Sequence, residues 1–450
     1  MKKQINMTEG PLIRNMISFT VPVMLASLIQ VVFNSLDLFF AGQFCGVDGT
    51  AIIGSTTAIT ALLTNFFIGL GVGVNVAVAH AIGSKNEVVV SRAVHTAIPL
   101  ALTGGLLLLI IGFFVSEPML KLLGTDVTII NGAAEYMKLY FVGCIPMLVY
   151  NFAAGIFRAN GDSETPMKLI IVAGFVNICL KPIFILGLKM GVAGVAVSTA
   201  LAHLAAAILS LRMLMKRNDA CRFEIKKMRF HRKELGRLLA LGIPSAFQSA
   251  MFAISNVCIQ SAINGFGKAF VSGNAAANNT EVAVYAVINS SVQTTINFTG
   301  QNVGSGNIDR VKKIFKSAVF GTAIFGTAVC AVVYLLRMPL INIYTTDPDA
   351  VAGGMYRMMF VCVPYVIYSV TDVIAGAVRG LGASLTPTIM SFLGICVFRV
   401  AWQYTVFPIY GTKTSLFIAY PISWILAGLG NLVCYFIFFN KLKNKLQKSR

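Results

Sequence analysis

Charged side chains are scarce in this chain. Asp, Glu, Lys and Arg make up 12% of its 450 residues, apolar side chains make up 56%, and the mean hydropathy is +0.78. Soluble domains carry roughly 25% charged residues, which face water around the core. The charge present here is too little to cover a soluble globule of this size, so the composition indicates a protein of the lipid bilayer.

Motifs for catalysis and metal binding are also missing. The nine cysteines stand singly without a CxxC pair, and the four histidines, His80, His95, His203 and His231, are dispersed. No GxxxxGK(S/T) sequence is present to bind a nucleotide. We therefore expect neither an enzyme nor a cofactor, and any transport must draw its energy from an ion gradient.

Apolar runs are what the chain has in abundance. Spanning a bilayer takes about 20 helical residues, and six runs in the first half are long enough, at 15–41, 52–80, 93–116, 135–157, 167–188 and 192–215. Six more follow at 236–264, 281–303, 314–336, 355–378, 388–409 and 415–439. The sequence predicts an all-α integral membrane protein with twelve transmembrane helices.

A twelve-residue stretch occurs twice, as GIFRANGDSETP at 155–166 and as GAVRGLGASLTP at 376–387. Six positions agree, each 221 residues apart: Gly155 and Gly376, Arg158 and Arg379, Gly161 and Gly382, Ser163 and Ser384, Thr165 and Thr386, Pro166 and Pro387. A repeat this long indicates duplication. Because each half holds an even number of spans, the two six-helix repeats must be parallel. We expect lobes at 1–215 and 235–450, joined by a basic cytoplasmic linker at 216–234.

The distribution of basic residues indicates how the chain is oriented in the membrane. With the amino terminus inside, 27 of the 36 Lys and Arg residues fall in inner segments, ten of them between 212 and 237. We therefore expect a multi-pass protein of the plasma membrane with both termini cytoplasmic. The formal charge of +19 then reflects the excess of basic residues on the cytoplasmic side of the membrane. No nucleic-acid partner is expected.

Polar side chains within the spans are the candidate functional residues of the first half. The first span carries Pro22, which kinks a helix, and Asp37. The fifth span carries Asn177 and Lys181 one helical turn apart, and the sixth carries Thr199. A carboxylate or ammonium inside a span is costly, and is therefore a functional candidate by default.

The second half does not repeat this chemistry. The position that corresponds to Asp37 holds the apolar Ile259. Its polar span residues are instead Asn256 and Gln260 in the seventh span, Asp372 in the tenth and Arg399 in the eleventh. Together with Asn34 and His203 from the first half, these four are candidates for lining a substrate cavity.

Several of these stretches resemble the multidrug and toxic compound extrusion (MATE) transporters over nearly the whole chain. They are the first-span proline followed by NSLDLFFAG, the two repeated turns, the FVNxxLxPxFxLG start of the fifth span, and QNVGSGNxxRV at 301–311. The resemblance implies a V-shaped exporter that exchanges cationic amphipathic compounds for protons or sodium. A lipid-linked oligosaccharide flippase of similar fold is the alternative.

The resemblance also implies roles for single residues. Asp37 matches the family's first-span coupling aspartate, Asn177 the asparagine of the same network and Thr199 its hydroxyl group. Lys181 departs from the family, because many members have a second aspartate there. We therefore assign cation coupling to Asp37, Asn177, Lys181 and Thr199.

Structural roles are expected for the kinking proline and for the repeated turns. Both turns should be cytoplasmic, with Arg158 and Arg379 bonding the carbonyls at helix ends. The residues to which we assign a structural role are Pro22, Gly155, Arg158, Gly161, Pro166, Gly376, Arg379, Gly382 and Pro387.

The presence of a lysine in a network of acids suggests an ion pair. We predict that Asp37 pairs with Lys181, since each charge would offset the desolvation of the other. The alternative is that Lys181 extends to the membrane surface and contacts nothing. The expected partners of the protein are a small-molecule substrate and membrane lipid, and we expect a monomer.

Overall fold

The computed structural model describes residues 4–448, apart from the side chains of Val47, Ala253, Val257 and Lys448. Lys2, Lys3 and Arg450, which entered the count of inner charges, lie outside that range. Within it all regular structure is helical and no strand occurs. The all-α prediction is therefore confirmed.

Six long helices form the first half: α1 Leu12–Gly46, α2 Asp48–Gly83, α3 Glu87–Leu122, α4 Ile130–Ala159, α5 Glu164–Gly187 and α6 Val192–Met215. The chain bends between α1 and α2 at Gly46, because the φ of 70° at this residue breaks the helical backbone. The last turn of α5, Ile183–Gly187, is π-helical and follows Pro182, which has no N–H group to donate.

The second half repeats this count. Its long helices are α7 Arg232–Asn264, α8 Lys268–Gly304, α9 Ile308–Leu335, α10 in two parts, α10a Pro348–Cys362 and α10b Tyr365–Gly380, α11 Leu385–Tyr410 and α12 Lys413–Gln447, and a short helix, Arg337–Asn342, follows α9. Ten helices of the described range are long and apolar enough to cross a membrane, and the α10a–α10b pair, bent by 41°, makes an eleventh. The remaining predicted span, 281–303, lies on α8, which has 37 residues but many polar side chains.

Contacts between residues divide the chain into two compact units. Unit 1 holds 4–6 and Leu25–Ala250, and unit 2 holds Met7–Met24 and the chain from Met251 onward. The first part of α1 therefore packs with the second half of the chain, as in the contact of Phe19 with Phe298, whose ring centroids lie 5.8 Å apart. The lobes predicted at 1–215 and 235–450 differ from these units, and the division by repeats stays a prediction.

Both repeated turns have the same backbone geometry. Gly161 follows α4 with a φ of 80°, and its N–H donates to the Arg158 carbonyl at 3.0 Å. Gly382 follows α10b with a φ of 94°, and its N–H donates to the Arg379 carbonyl at 2.8 Å. Left-handed glycines of this kind end helices, because they have no Cβ to clash. These two glycines explain why this part of the turn sequence recurs.

The first glycine of each repeated stretch lies at a helix contact. A Cβ on Gly155 of α4 would lie 3.7 Å from the Gly71 carbonyl oxygen of α2, which is an ordinary contact. A Cβ on Gly376 of α10b would lie 3.0 Å from Val292 Cγ1 of α8, which is tighter than side chains normally pack. Gly376 therefore lets α10b approach α8, whereas Gly155 has room for a methyl group. The structural need for glycine is thus unequal in the two repeats.

The last proline of each repeated stretch begins the next helix. Pro166 is the third residue of α5 and Pro387 the third residue of α11, and both are buried. The N–H groups of a first helical turn have no partner in the helix, so a proline there loses no hydrogen bond. The Pro166 carbonyl accepts a hydrogen bond from the Tyr150 hydroxyl at 3.0 Å. These positions support the structural role expected for Pro166 and Pro387, which stays a prediction.

The arginines of the two turns differ in their surroundings. Arg158 Nε is buried and has no hydrogen-bond partner in the described range. Arg379 is 8% exposed, and its Nη1 lies 3.9 Å from Asp372 Oδ1, two turns earlier on α10b. Arg158 Nε therefore takes no part in the predicted bonding of helix-end carbonyls, and for the other nitrogens of the two arginines that bonding stays a prediction.

The basic linker at 216–234 is packed onto unit 1. Arg217 Nη2 donates to Asp219 Oδ2 at 2.8 Å, and Asn160 Nδ2 donates to the same oxygen at 2.9 Å. Burial raises the pKa of Asp219, but the hydrogen bonds from Arg217 and its neighbours outweigh burial and lower the pKa overall. Further along, the Glu224 N–H donates to His95 Nε2 at 2.9 Å. The linker is therefore an ordered part of this unit.

A glycine also allows α8 and α10a of unit 2 to approach closely where they cross. A Cβ on Gly273 of α8 would overlap with the Ala350 carbonyl oxygen of α10a and would lie 2.6 Å from the Gly354 nitrogen. Small residues at such crossings let the backbones of membrane helices approach. This approach places the polar face of α8 beside α10a.

We predict that Gly273→Ala lowers the thermal stability of the purified protein by roughly 1–3 kcal/mol, because the backbones must separate. Gly321→Ala on α9 is the matched control, since nothing lies within 4 Å of its added Cβ. That control should be neutral or slightly stabilising. Equal melting temperatures for the two variants in detergent would contradict the close crossing.

Candidate functional site

The predicted coupling residues meet inside unit 1. Asp37 lies on α1, Asn177 and Lys181 lie on α5, and Thr199 lies on α6. Lys181 Nζ forms an ion pair with Asp37 Oδ1. Residues from three helices that are far apart in the sequence thus share one cluster, which we call the Asp37 cluster. The ion pair predicted from the sequence is present.

Three further polar contacts connect the Asp37 cluster, and the single hydroxyl proton of Thr199 can be donated in only one of its two. Asn177 Nδ2 donates to Asp37 Oδ1 at 3.4 Å, and Thr199 Oγ1 lies 3.3 Å from Asp37 Oδ2 and 3.5 Å from Asn177 Oδ1. These distances are long for hydrogen bonds. The carboxylate therefore has one strong partner, Lys181, and two weaker neutral ones.

A glycine positions α1 against α5. Gly174 lies three residues before Asn177, and a Cβ at this position would overlap with the ring of Phe33. Phe33 is four residues before Asp37 on α1, so the same face of the helix presents both side chains. The Phe33 ring can occupy this place only because residue 174 has no side chain. This contact brings Asp37 level with Asn177 and Lys181.

Burial makes the Asp37–Lys181 pair obligatory. The Lys181 side chain is 0% exposed and that of Asp37 is 17% exposed. An isolated charge removed from water costs several kcal/mol even after the protein relaxes. Lys181 Nζ also lies 5.3 Å from the centre of the Phe40 ring, whose face attracts a cation. The alternative in which Lys181 extends to the surface is excluded by its burial.

Two tyrosines of α4 complete the surroundings of Asp37 and were not identified from the sequence. Tyr136 and Tyr140 both lie close enough to interact electrostatically with this carboxylate. They are one helical turn apart, with their ring centroids at 6.3 Å. Two tyrosines spaced by four within a predicted span are the signal that could have identified them.

The remaining candidates of the first half have different surroundings. Asn34 is exposed, one turn before Asp37 in α1. His203 is half-buried, one turn beyond Thr199 in α6, and its Nδ1 is buried with no hydrogen-bond partner in the described chain. Neither makes a hydrogen bond to the Asp37 cluster. Their predicted role in a substrate cavity stays a prediction.

The candidates of the second half lie in unit 2 and do not form one cluster. Asn256 is exposed, and Gln260 donates to Asn264 at 2.9 Å within α7. Asp372 faces Arg379. Arg399 is 6% exposed, and its guanidinium lies over the ring of Tyr420 of α12, 4.0 Å from the ring centre. Only Arg399 among these four has both a buried charge and an aromatic contact.

One buried ion pair of unit 2 was missed from the sequence. Arg357 Nη2 of α10a lies 2.7 Å from Glu281 Oε2 of α8, and the two side chains are 5% and 15% exposed. Arg357 also donates to Asn274 at 2.8 Å and to Asn278 at 3.2 Å. The asparagines and the acid recur at a spacing of three to four on α8, a polar stripe visible in the sequence.

A chain of long membrane helices with an internal sequence repeat and a buried ion pair across its spans has the architecture of a secondary transporter. The MatE family model matches it twice, over residues 22–183 and 244–405. The chain belongs to the MATE family of transporters, which are not enzymes.

Named relatives cover nearly its full length. The probable multidrug resistance protein YpnP of Bacillus subtilis is 30% identical over 88% of this chain and 89% of its own length. The FAD transporter of Shewanella oneidensis is 23% identical over 97% and 96%. A crystal structure of MATE in complex with MaL6 superposes with a TM-score of 0.90 at 20% identity, covering 99% of this chain and 100% of the other. That likeness confirms the fold.

We predict that Lys181→Met lowers stability by roughly 3–5 kcal/mol, because it leaves Asp37 without its strong partner. Asp37→Asn combined with Lys181→Met should recover most of this loss, since no charge then remains in the cluster. Melting temperatures of the purified variants measure both effects. The control is Lys313→Met, which removes an exposed lysine of α9. If Lys181→Met has the same melting temperature as the wild type, the ion pair does not contribute to stability.

Proposed function

We propose that this protein exports amphipathic drug-like compounds in exchange for protons, and that protonation of Asp37 drives the exchange. The Asp37 cluster is the observation that carries this proposal, because it places one carboxylate against one ammonium within membrane helices. Export fits the family, in which two relatives from Bacillus subtilis are named probable multidrug resistance proteins.

The proposed cycle begins with the ionised pair. A proton that reaches Asp37 neutralises the carboxylate and removes the counter-charge of Lys181. The ammonium then loses its strong partner and retains only neutral neighbours such as Asn177 and Thr199. A buried cation in that state is costly, so the helices rearrange. The proline at position 22, inside α1, is the place where we expect that helix to bend.

Lys181 favours protons over sodium as the coupling ion. A sodium ion bound at Asp37 would have to share the carboxylate with the ammonium already in contact with it. Two unit charges of the same sign at 4 Å repel by about 4 kcal/mol at an effective dielectric constant of 20. A proton avoids this repulsion, because it binds the carboxylate covalently and leaves a neutral acid. Lys181 thus takes the place that a bound metal cation would need.

The sign of the substrate's charge is a separate question. The sequence resemblance implied that the exported compounds are cationic, and their charge stays a prediction. The relative named FAD transporter is named for an acidic compound that carries phosphate groups. The flippase alternative is not favoured, because the relatives are named for drug resistance or for FAD.

The setting of this transporter is also part of the proposal. The concentration of basic residues between 212 and 237 and at the carboxyl terminus supports cytoplasmic termini in the plasma membrane. We propose that the protein works as a monomer surrounded by lipid. Exposed apolar side chains along the helices, such as Phe114, Ile324 and Leu335, fit contact with acyl chains.

The test is transport in proteoliposomes with an imposed pH gradient or an imposed sodium gradient. We expect the pH gradient alone to drive export, and we expect Asp37→Asn to lower it strongly. Because the residues act as a pair, Asp37→Asn combined with Lys181→Ala should be no worse than Asp37→Asn alone. Full transport by Asp37→Asn would end the proposal.

A second variant tests the reason for proton selectivity. Lys181→Asp replaces the ammonium with a second carboxylate next to Asp37, so the repulsion of sodium is lost. We expect this variant to gain a response to the sodium gradient that the wild type lacks. Lys313→Asp, on the exposed face of α9, should gain none. A wild-type protein driven by sodium at clamped pH would refute the role given to Lys181.

A further inference from the structure

Unit 2 contains one more buried positive charge than its acids balance. Three carboxylates of the described range lie deep within their helices, Asp37, Glu281 and Asp372. Each has a basic partner: Lys181, Arg357 and Arg379 respectively. Arg399 is equally deep in α11 and has no carboxylate within ion-pair distance in residues 4–448. These acids are therefore already paired, and Arg399 shares only the longer-range attraction of Glu281, which is in direct contact with Arg357.

The protein contacts of Arg399 use only part of its guanidinium. Nε donates to Ser423 Oγ at 2.9 Å, and the group lies 4.0 Å from the ring centre of Tyr420 and 5.6 Å from that of Trp424. Neither Nη has a hydrogen-bond acceptor in the described part of the chain. A guanidinium with free Nη donors is suited to bind a carboxylate or phosphate through two parallel bonds.

A second polar atom beside Arg399 also lacks a partner. Gln403 lies one helical turn further along α11 and is 9% exposed. Its Nε2 donates to the Cys258 carbonyl at 2.8 Å, which fixes the amide, but its Oε1 accepts no hydrogen bond within the described residues. Buried polar groups usually find a partner, and an exception needs an explanation. A bound molecule with a donor group would supply one.

Stability alone does not account for Arg399. A buried charge without a counter-ion is unfavourable, and an apolar side chain of similar volume would pack in the same place at lower cost. The neighbouring Arg357 differs, because Glu281 and two asparagines accept hydrogen bonds from its Nη atoms, although its Nε has no partner in the described residues. The two arginines therefore form a natural comparison between a structural cation and a free one.

We propose that Arg399, with Gln403, Tyr420 and Trp424, is a subsite for the acidic group of an exported aromatic compound. This rests on the proposed export function and reverses the sign of substrate charge that the family resemblance implied. The carboxylate or phosphate pairs with the Nη atoms, and Gln403 Oε1 accepts a bond from the substrate. An aromatic ring of the substrate stacks on the guanidinium face opposite Tyr420.

Two xanthene dyes of similar shape test the sign of charge: fluorescein, which is anionic, and rhodamine 6G, which is cationic. In proteoliposomes under the pH gradient, we expect the wild type to transport fluorescein and Arg399→Gln to transport it at least about tenfold more slowly. Arg399→Lys keeps the charge but not the paired donors, so its fluorescein transport should be intermediate.

Binding is measured separately so that poor folding cannot mimic the result. The chain has two tryptophans, so Trp402→Phe leaves Trp424 as the only reporter, next to Arg399. Fluorescein should quench its emission, and Arg399→Gln in this background should abolish the quenching. The melting temperature of Arg399→Gln should equal or exceed that of the wild type, whereas Arg357→Gln should lower it because Glu281 loses its partner.

The outcomes separate the two proposals. If the wild type transports rhodamine 6G but not fluorescein, the export function stands and the anionic subsite is wrong. The subsite is equally wrong if Arg399→Gln transports and binds fluorescein as the wild type does. If no gradient moves either dye, the export function itself fails, and the subsite fails with it.

Discussion

The cost of placing charge inside a membrane governs this structure. In water an unpaired carboxylate is stable, but within a bilayer span it needs a partner of opposite sign. The deep acids of the described helices all have one, and the strongest case is Asp37 with the fully buried Lys181. A change that neutralises one member of such a pair changes the energy of the other. An ion pair in this setting can therefore convert the binding of a proton into a movement of helices.

Close helix approach is what makes these pairs possible. Gly174 admits the ring of Phe33, and this contact sets α1 at the height where Asp37 meets Lys181. Gly273 does the same for α8 and α10a, the helices that carry the second buried ion pair. Small residues in membrane helices thus determine which polar groups can reach each other. The positions of the charged side chains therefore depend on glycines, which have no side chain of their own.

The buried positive charges of the two units have different surroundings. In unit 1 the buried lysine is neutralised by the acid beside it, whereas in unit 2 Arg399 stacks on Tyr420 and no described carboxylate lies within ion-pair distance of it. The repeated sequence therefore provides one framework for two chemically distinct interiors. We infer a division of labour in which the first unit handles the coupling proton and the second recognises the substrate's charge.

The sequence by itself determined the membrane class, the helical spans and the family, because long apolar runs and the repeated turn motif are local patterns. Helical spacing likewise brought Asn177 and Lys181 onto one face of α5. It could not show that two tyrosines of α4 approach Asp37, nor that Glu281 pairs with Arg357. Periodicity reports the face of a helix but not the helix that packs against it. Partners 76 or 144 residues apart are decided only by tertiary packing.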